Sequence, residues 1–301
     1  MRALITGATG LIGNALLPRL EGASVVVGRD VDRLARAFPG AETHAWPAAT
    51  APFPSEALCG TDVIFHLAGE PIAAGRWTEQ RRQRIRDSRV LGTRALVNAI
   101  AASTPRPGVL IAASAVGFYG DRGDEALDEG SPPGRGFLAE LCAEWEAEAR
   151  SAEALGVRVV NVRFGAVLAT HGGALQKMLP AFRLGVGGRL GHGRQWMSCV
   201  HVDDAVGLLL HARDDDRCRG PMNAVSPRPL TNLEFTQALG RALGRPTILP
   251  IPALALRLMF GEMSHVLIGS QRVYPRVAER SGFRFEYPTV DQALTALLPH
   301  R

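Results

Sequence analysis

A glycine turn lies within the first dozen residues: Ile5-Thr6-Gly7-Ala8-Thr9-Gly10-Leu11-Ile12-Gly13. It follows Arg2 to Thr6, an apolar run with the length and composition of a buried strand. It opens onto Leu11 to Leu20, where apolar residues recur at helical spacing. Few chains can place strand, glycine turn and helix in that order for any other purpose than holding a dinucleotide. The turn must be tight, the backbone must lie against a pyrophosphate, and the helix must pack closely on the strand. The helix N-terminus then offers free N–H groups and the positive end of its dipole to the phosphates. Gly7, Thr9, Gly10, Leu11, Ile12 and Gly13 are therefore the first cofactor-binding candidates.

The alternation continues downstream. Ser24 to Val27, Asp62 to Leu67, Val109 to Ser114 and Arg158 to Val162 read as short buried strands, with helical spacing over Arg84 to Ala102 and Phe137 to Leu155. Strands alternating with helices predict βαβ units, hence an α/β fold with a Rossmann-type, doubly wound parallel sheet over residues 1–165. After Gly165 the pattern loosens into glycine-rich loops and helices broken by Pro227, Pro229, Pro246, Pro250 and Pro252. This predicts a smaller, mixed substrate-binding domain over 166–301, with a segment near 196–225 returning to the first domain.

The end of the second strand bears on which dinucleotide is held. An NAD-preferring site places an acid there for the ribose 2′-hydroxyl. Here Val27 is followed by Gly28, which leaves room, and Arg29, whose guanidinium suits the 2′-phosphate of NADP. NADP is the expected cofactor; if Asp30 rather than Arg29 faces the ribose, NAD is preferred. Further on, Leu67, Ala68 and Gly69 end a strand in small residues, as expected where backbone passes adenosine and ribose. His66, just before them, reads as packed within the strand.

Composition excludes several classes. With 301 residues, 46% of them hydrophobic, the chain can bury one large core or two coupled ones. It carries no secretory signal and no apolar stretch long enough to span a bilayer, so a cytoplasmic protein without a membrane partner is expected. The four cysteines are widely separated and form no Cys-x-x-Cys pair, which points to reduced structural thiols and no metal site. A net charge of +5 is compatible with anionic ligands. The arginines between 76 and 94 are interrupted by Glu79 and Asp87 and have only Trp77 to stack on a base. They read as a solvated helix face rather than a nucleic-acid surface.

Together these residues resemble the extended short-chain dehydrogenase/reductases, and within them the atypical, sugar-nucleotide-epimerase-like branch labelled epimerase family proteins. The likeness covers essentially the whole chain: Leu67-Ala-Gly-Glu-Pro-Ile72, Arg76-Trp77-Thr78, Ser88-Arg89-Val-x-Gly-Thr93, Phe137-Leu-Ala-Glu140 with Trp145-Glu146, Gly172-Gly-Ala-Leu175, Gln195-Trp196-x-Ser198, His201-Val-Asp-Asp204, Asn223, Gly261-Glu-Met263 and Gly282-Phe283. Extended members carry an Asn in an Asn-Val-x-Gly-Thr helix beneath the cofactor. Arg89 stands at that position, so the resemblance implies that Arg89 lies near the cofactor; a surface-helix role is the alternative. His201, Asp203 and Asp204 match a motif that ties the two domains together, and read as scaffold.

The chain departs from that family at the catalytic pair. The usual chemistry needs a Tyr whose phenol is acidified by a Lys four residues on, beside a Ser or Thr that polarises the carbonyl. The only tyrosines are Tyr119, Tyr274 and Tyr287, and the only lysine is Lys177, four residues after Gly173, so no Tyr-x-x-x-Lys exists. Aligning Glu146 with the acid that follows the pair in relatives puts Leu138 and Cys142 in the two places. Two catalytic candidates remain. Ser114 sits where the carbonyl-polarising hydroxyl is found, with a purely structural role at the strand end as its alternative. Tyr119 matches the Tyr-Gly that shapes the substrate pocket. Arg163, Gln195, Trp196 and Ser198 are candidates to line that pocket, and Arg194 is a candidate to recognise a phosphate.

The function expected is that of an NADP(H)-dependent oxidoreductase or epimerase acting on a small polar substrate. The alternative is an NADP(H)-binding sensor that kept the fold and lost the chemistry. Relatives pair through two helices, here Arg84 to Ala102 and Phe137 to Leu155, so the resemblance also implies a homodimer.

Overall fold

A computed structural model describes residues 1–73 and 75–298. The first half runs β1 (Arg2–Thr6), α1 (Leu11–Leu16), β2 (Ala23–Gly28), α2 (Val31–Ala37), β3 (Glu42–Ala45), β4 (Val63–His66), α3 (Glu79–Ala102), β5 (Val109–Ala115), β6 (Ala126–Leu127), α4 (Phe137–Arg150) and β7 (Arg158–Phe164). The second half runs β8 (Ala166–Leu168), α5 (Gly173–Arg183), β9 (Trp196–Met197), β10 (Cys199–His201), α6 (Val202–Asp214), β11 (Gly220–Ala224), β12 (Leu230–Thr231), α7 (Asn232–Leu243), α8 (Ala253–Phe260), α9 (Ser264–Ile268), β13 (Arg272–Val273), α10 (Arg276–Arg280) and α11 (Val290–Leu297).

Seven strands form one sheet in the order β11-β7-β5-β4-β1-β2-β3, every pair parallel. The chain enters at β1, winds outward through β2 and β3, then returns past β1 to β4, β5, β7 and β11. The direction of winding reverses between β1 and β4, and ligands of such sheets bind outside the carboxyl ends of the strands at that point.

Both faces of the sheet are covered, which explains why its strands read as continuous apolar runs. Successive side chains point to opposite faces. Ala3, Ile5, Val26 and Phe65 join one core with Leu16 of α1 and Leu208 of α6. Leu4, Val25, Val27 and Ile64 join another with Leu96 and Ile100 of α3 and with Trp46. A third core, built from Leu175 and Phe182 of α5, Phe235 and Leu239 of α7 and Leu294 of α11, lies apart from the sheet. The segment 202–224 returns to the sheet, α6 beneath it and β11 along its edge.

Several elements extend beyond the sequence expectations, helix α2 and the sheet strand β11 among them. The edge strand β3 was not expected: it is four residues long, half-exposed and without an apolar run, and it is held by its register with β2, Val26 opposite Thr43. Helix α3 begins at Glu79 rather than Arg84, because Thr78 accepts a hydrogen bond from the Arg81 amide at 3.2 Å and caps a charged first turn that apolar periodicity does not reveal.

Candidate dinucleotide site and the closed network beside it

The glycine turn leaves β1 at the sheet's carboxyl edge. Gly7 has φ +75°, and a Cβ there would lie 2.7 Å from the Leu67 carbonyl carbon and 2.8 Å from the Ala68 amide nitrogen, so only glycine permits this approach of the turn to the end of β4. Gly13 is constrained similarly, since a Cβ would stand 2.6 Å from the Gly7 oxygen. Gly10 differs: its Cβ would meet only the Gly7 oxygen, at 3.2 Å, and otherwise open space. The Asn14 amide is the first to find a helical acceptor, the Gly10 oxygen at 2.9 Å, and no side chain caps α1. Among the described residues the amides of Leu11, Ile12 and Gly13 are thus left for an external acceptor. An open glycine edge facing uncapped amides fits a diphosphate.

At the end of β2 the candidates separate. The Asp30 side chain accepts from the Arg33 amide at 2.9 Å and caps α2. Arg29 remains extended, its side chain 80% exposed and its Nη1 3.9 Å from Glu70. At Gly28 a Cβ would press on the Leu34 side chain at 3.3 Å, so the glycine also lets α2 pack close to the end of β2.

Arg89 lies half-buried beneath the end of β4. It donates to the Glu70 and Ile85 carbonyls at 3.0 and 3.2 Å and stacks on Trp145. A Cβ on Gly69 would stand 3.0 Å from its guanidinium carbon, so the structure brings Leu67, Ala68, Gly69 and Arg89 against the turn that holds Gly7. Burial lowers the Arg89 pKa, with the Cys142 and Glu70 charges opposing. His66 is fully buried between the Thr6 hydroxyl at 2.8 Å and the Thr93 hydroxyl at 3.0 Å, and burial pushes its pKa down to about 4.

Ser114 lies on the same carboxyl edge, two residues past the point where β5 runs beside His66. Its hydroxyl donates to Glu146 at 2.6 Å. Glu146, from α4, accepts two hydrogen bonds from Arg163, both at 2.8 Å. Arg163 donates to the Tyr119 hydroxyl at 2.9 Å, and that hydroxyl donates to Asn223 at 2.7 Å. Sheet register assembles this chain: Ser114 pairs with Arg163 across β5 and β7, and Arg163 with Asn223 across β7 and β11. Every member is buried.

The consequences differ from the expected roles. Tyr119 is fully buried with its hydroxyl committed on both sides, and burial pushes its pKa up to about 12, so it does not present a proton donor to a pocket. The Ser114 proton is committed to Glu146. Cys142 lies in the same region, its sulfur 3.9 Å from where a Gly117 Cβ would be, and burial pushes its thiol to about 11. For Arg163, burial lowers the pKa, and the hydrogen bonds and charge of Glu146 more than reverse this. Leu138 packs against Gly117.

In the second half, Trp196 donates to Asp124 at 2.8 Å and carries Arg272 on its ring. Gln195 donates to the Leu190 carbonyl, Ser198 to that of Gln271, and Arg194 is exposed. His201 caps α6, and Asp204 accepts from the Glu286 and Tyr287 amides, both structural duties. Among the described residues no group of three or more His, Cys, Asp or Glu side chains could hold a metal ion.

Comparison with known proteins places this arrangement. Residues 3–223 match the NAD dependent epimerase/dehydratase family, and residues 251–297 match a domain of unknown function, DUF1731. The Mycobacterium bovis epimerase family protein Mb2239 is 43% identical over 96% of this chain and 95% of its own. The human epimerase family protein SDR39U1 is 34% identical over 99% of this chain and 100% of its own. The crystal structure of human SDR39U1 (isoform 2) with NADPH superposes with a TM-score of 0.88 at 33% identity, covering 99% of each chain. The chain therefore belongs to the NAD dependent epimerase/dehydratase family.

Proposed function

We propose that this protein binds NADPH along the carboxyl edge of the sheet and reduces a small polar substrate beside it. The observation that carries the cofactor reading is the end of β2, where Asp30 caps α2 and Arg29, 80% exposed with only a loose 3.9 Å contact to Glu70, can reach a 2′-phosphate. That a similar human protein was crystallised with NADPH supports the same reading.

Bound NADPH supplies a hydride, and reduction of a carbonyl also consumes one proton. The chain holds no ready donor for that proton in the network nearby. The Tyr119 phenol and the Cys142 thiol keep their protons far above neutral pH, whereas an effective general acid has a pKa near the working pH. The proton then comes from water or from the substrate itself. The protein's work is to orient the two reactants and exclude side reactions. Ser114 would polarise a carbonyl only by turning its proton away from Glu146.

The test is incubation of the purified protein with NADPH and a panel of aldehydes, ketones and nucleotide sugars, following the absorbance of the reduced nicotinamide. Oxidation with at least one compound class is expected. Tight NADPH binding with no oxidation by any of them overturns the reductase reading and leaves a sensor.

A further inference from the structure

Six large apolar side chains stand further out of the described surface than any others: Leu184, Ile248, Leu249, Leu254, Leu258 and Met259, each between 58 and 83% exposed. They come from two strips of chain that run side by side. The Ile251 amide donates to the Arg189 carbonyl and the Gly191 amide to the Ile251 carbonyl, both at 2.8 Å. A Cβ on Gly185 would touch Pro246, and one on Gly191 would touch Ala253 at the start of α8. A patch of this kind marks an interaction site.

Charge and shape together say what it meets. From 173 to 202 and from 235 to 261 the sequence has neither Asp nor Glu. Arg183, Arg245 and Arg257 are exposed there, and none has an acidic partner among the ion pairs of the described residues, whereas the neighbouring Arg241 is paired with Asp291. With more than half of each side chain exposed, the six protrude into solvent. A folded partner needs a concavity to match each protrusion, while a fluid lipid surface accepts them anywhere. A second copy docked face to face would set arginine against arginine.

We propose that this face seats on an anionic lipid surface, with Leu184, Ile248, Leu254 and Leu258 among the acyl chains and Arg183, Arg245 and Arg257 at the headgroup phosphates. The association is interfacial, since no helix among the described residues is long and apolar enough to cross a membrane. It departs from the expectation of no membrane partner, which rested on the lack of a spanning segment; lying on a bilayer needs none. It is independent of the cofactor reading.

The test is flotation of the full chain with vesicles of phosphatidylcholine alone and with about 30% phosphatidylglycerol added. Binding to the anionic vesicles only, weakened by salt, is expected. Leu254→Asp with Leu258→Asp should lower that binding at least roughly tenfold, and Gln at each arginine about fivefold, while NADPH affinity reports that the variants remain folded. Three vesicle results overturn the proposal: no binding at low salt, equal binding to both vesicles, or variants that bind undiminished. Two further results overturn it by assigning the face to a protein: a Leu254/Leu258 variant that turns a solution dimer into a monomer, and binding of polyglutamate in place of vesicles.

Discussion

At the end of β1 the amides of Leu11, Ile12 and Gly13 find no acceptor among the described residues, and Arg29 beyond β2 stands 80% exposed. At the ends of β5, β7 and β11 the opposite holds: Ser114, Glu146, Arg163, Tyr119 and Asn223 satisfy one another and are buried. One sheet edge thus carries a region left open for a ligand and a region closed on itself. Buried polar groups are tolerated when paired and costly when orphaned. The first region therefore asks for an anionic partner, and the second is satisfied by internal bonding.

The largest effect is expected from breaking the closed region. Glu146→Ala strands the Arg163 guanidinium without its partner and should cost about 3 to 5 kcal/mol of stability in urea denaturation. The double variant Glu146→Ala with Arg163→Met removes the orphaned charge and should recover much of that loss. If the single variant is as stable as the wild type, the network is not what holds the two elements together.

His66 joins the two regions, since Thr6 belongs to β1 and Thr93 accepts a hydrogen bond from Trp145 of α4 at 2.9 Å. Its folded pKa of about 4 lies below the unfolded value near 6.5, so the unfolded chain binds the extra proton between them. The contribution is fully present above pH about 6.5 and lost as pH falls toward 4, about 3 kcal/mol in all. His66→Gln should flatten that part of the stability–pH curve relative to wild type. A curve of unchanged shape would show that His66 is not buried neutral.

A smaller effect sharpens the open region. Arg29→Ala should weaken NADPH about 10- to 100-fold and NADH far less, measured by titration of each. Equal losses for both would assign Arg29 to the solvent and reopen the choice of cofactor.

Much of the open region was legible in the sequence because its residues are contiguous: strand, Gly7, Gly10, Gly13 and helix follow one another, and Gly28-Arg29 directly ends a run of valines. The five sheet strands expected from apolar runs are all present. The closed region was not legible. Glu146 and Arg163 lie on a helix and a strand, and Asn223 reaches them only because β11 joins the sheet beside β7. Nothing in local periodicity reports such register. The same blindness hid the burial of Tyr119: its Tyr-Gly pattern pointed to a pocket, while packing of β6, α4 and β13 buries it with Leu127, Cys142 and Val273. Asp30 was an ambiguity in the sequence, and in the structure its side chain caps α2.

Isothermal titration of the purified, unliganded wild-type protein with NADPH and with NADH tests the central claim most directly. The account predicts saturable binding of NADPH, tighter than that of NADH. Absence of heat with either nucleotide, or NADH bound as tightly as NADPH, would contradict it.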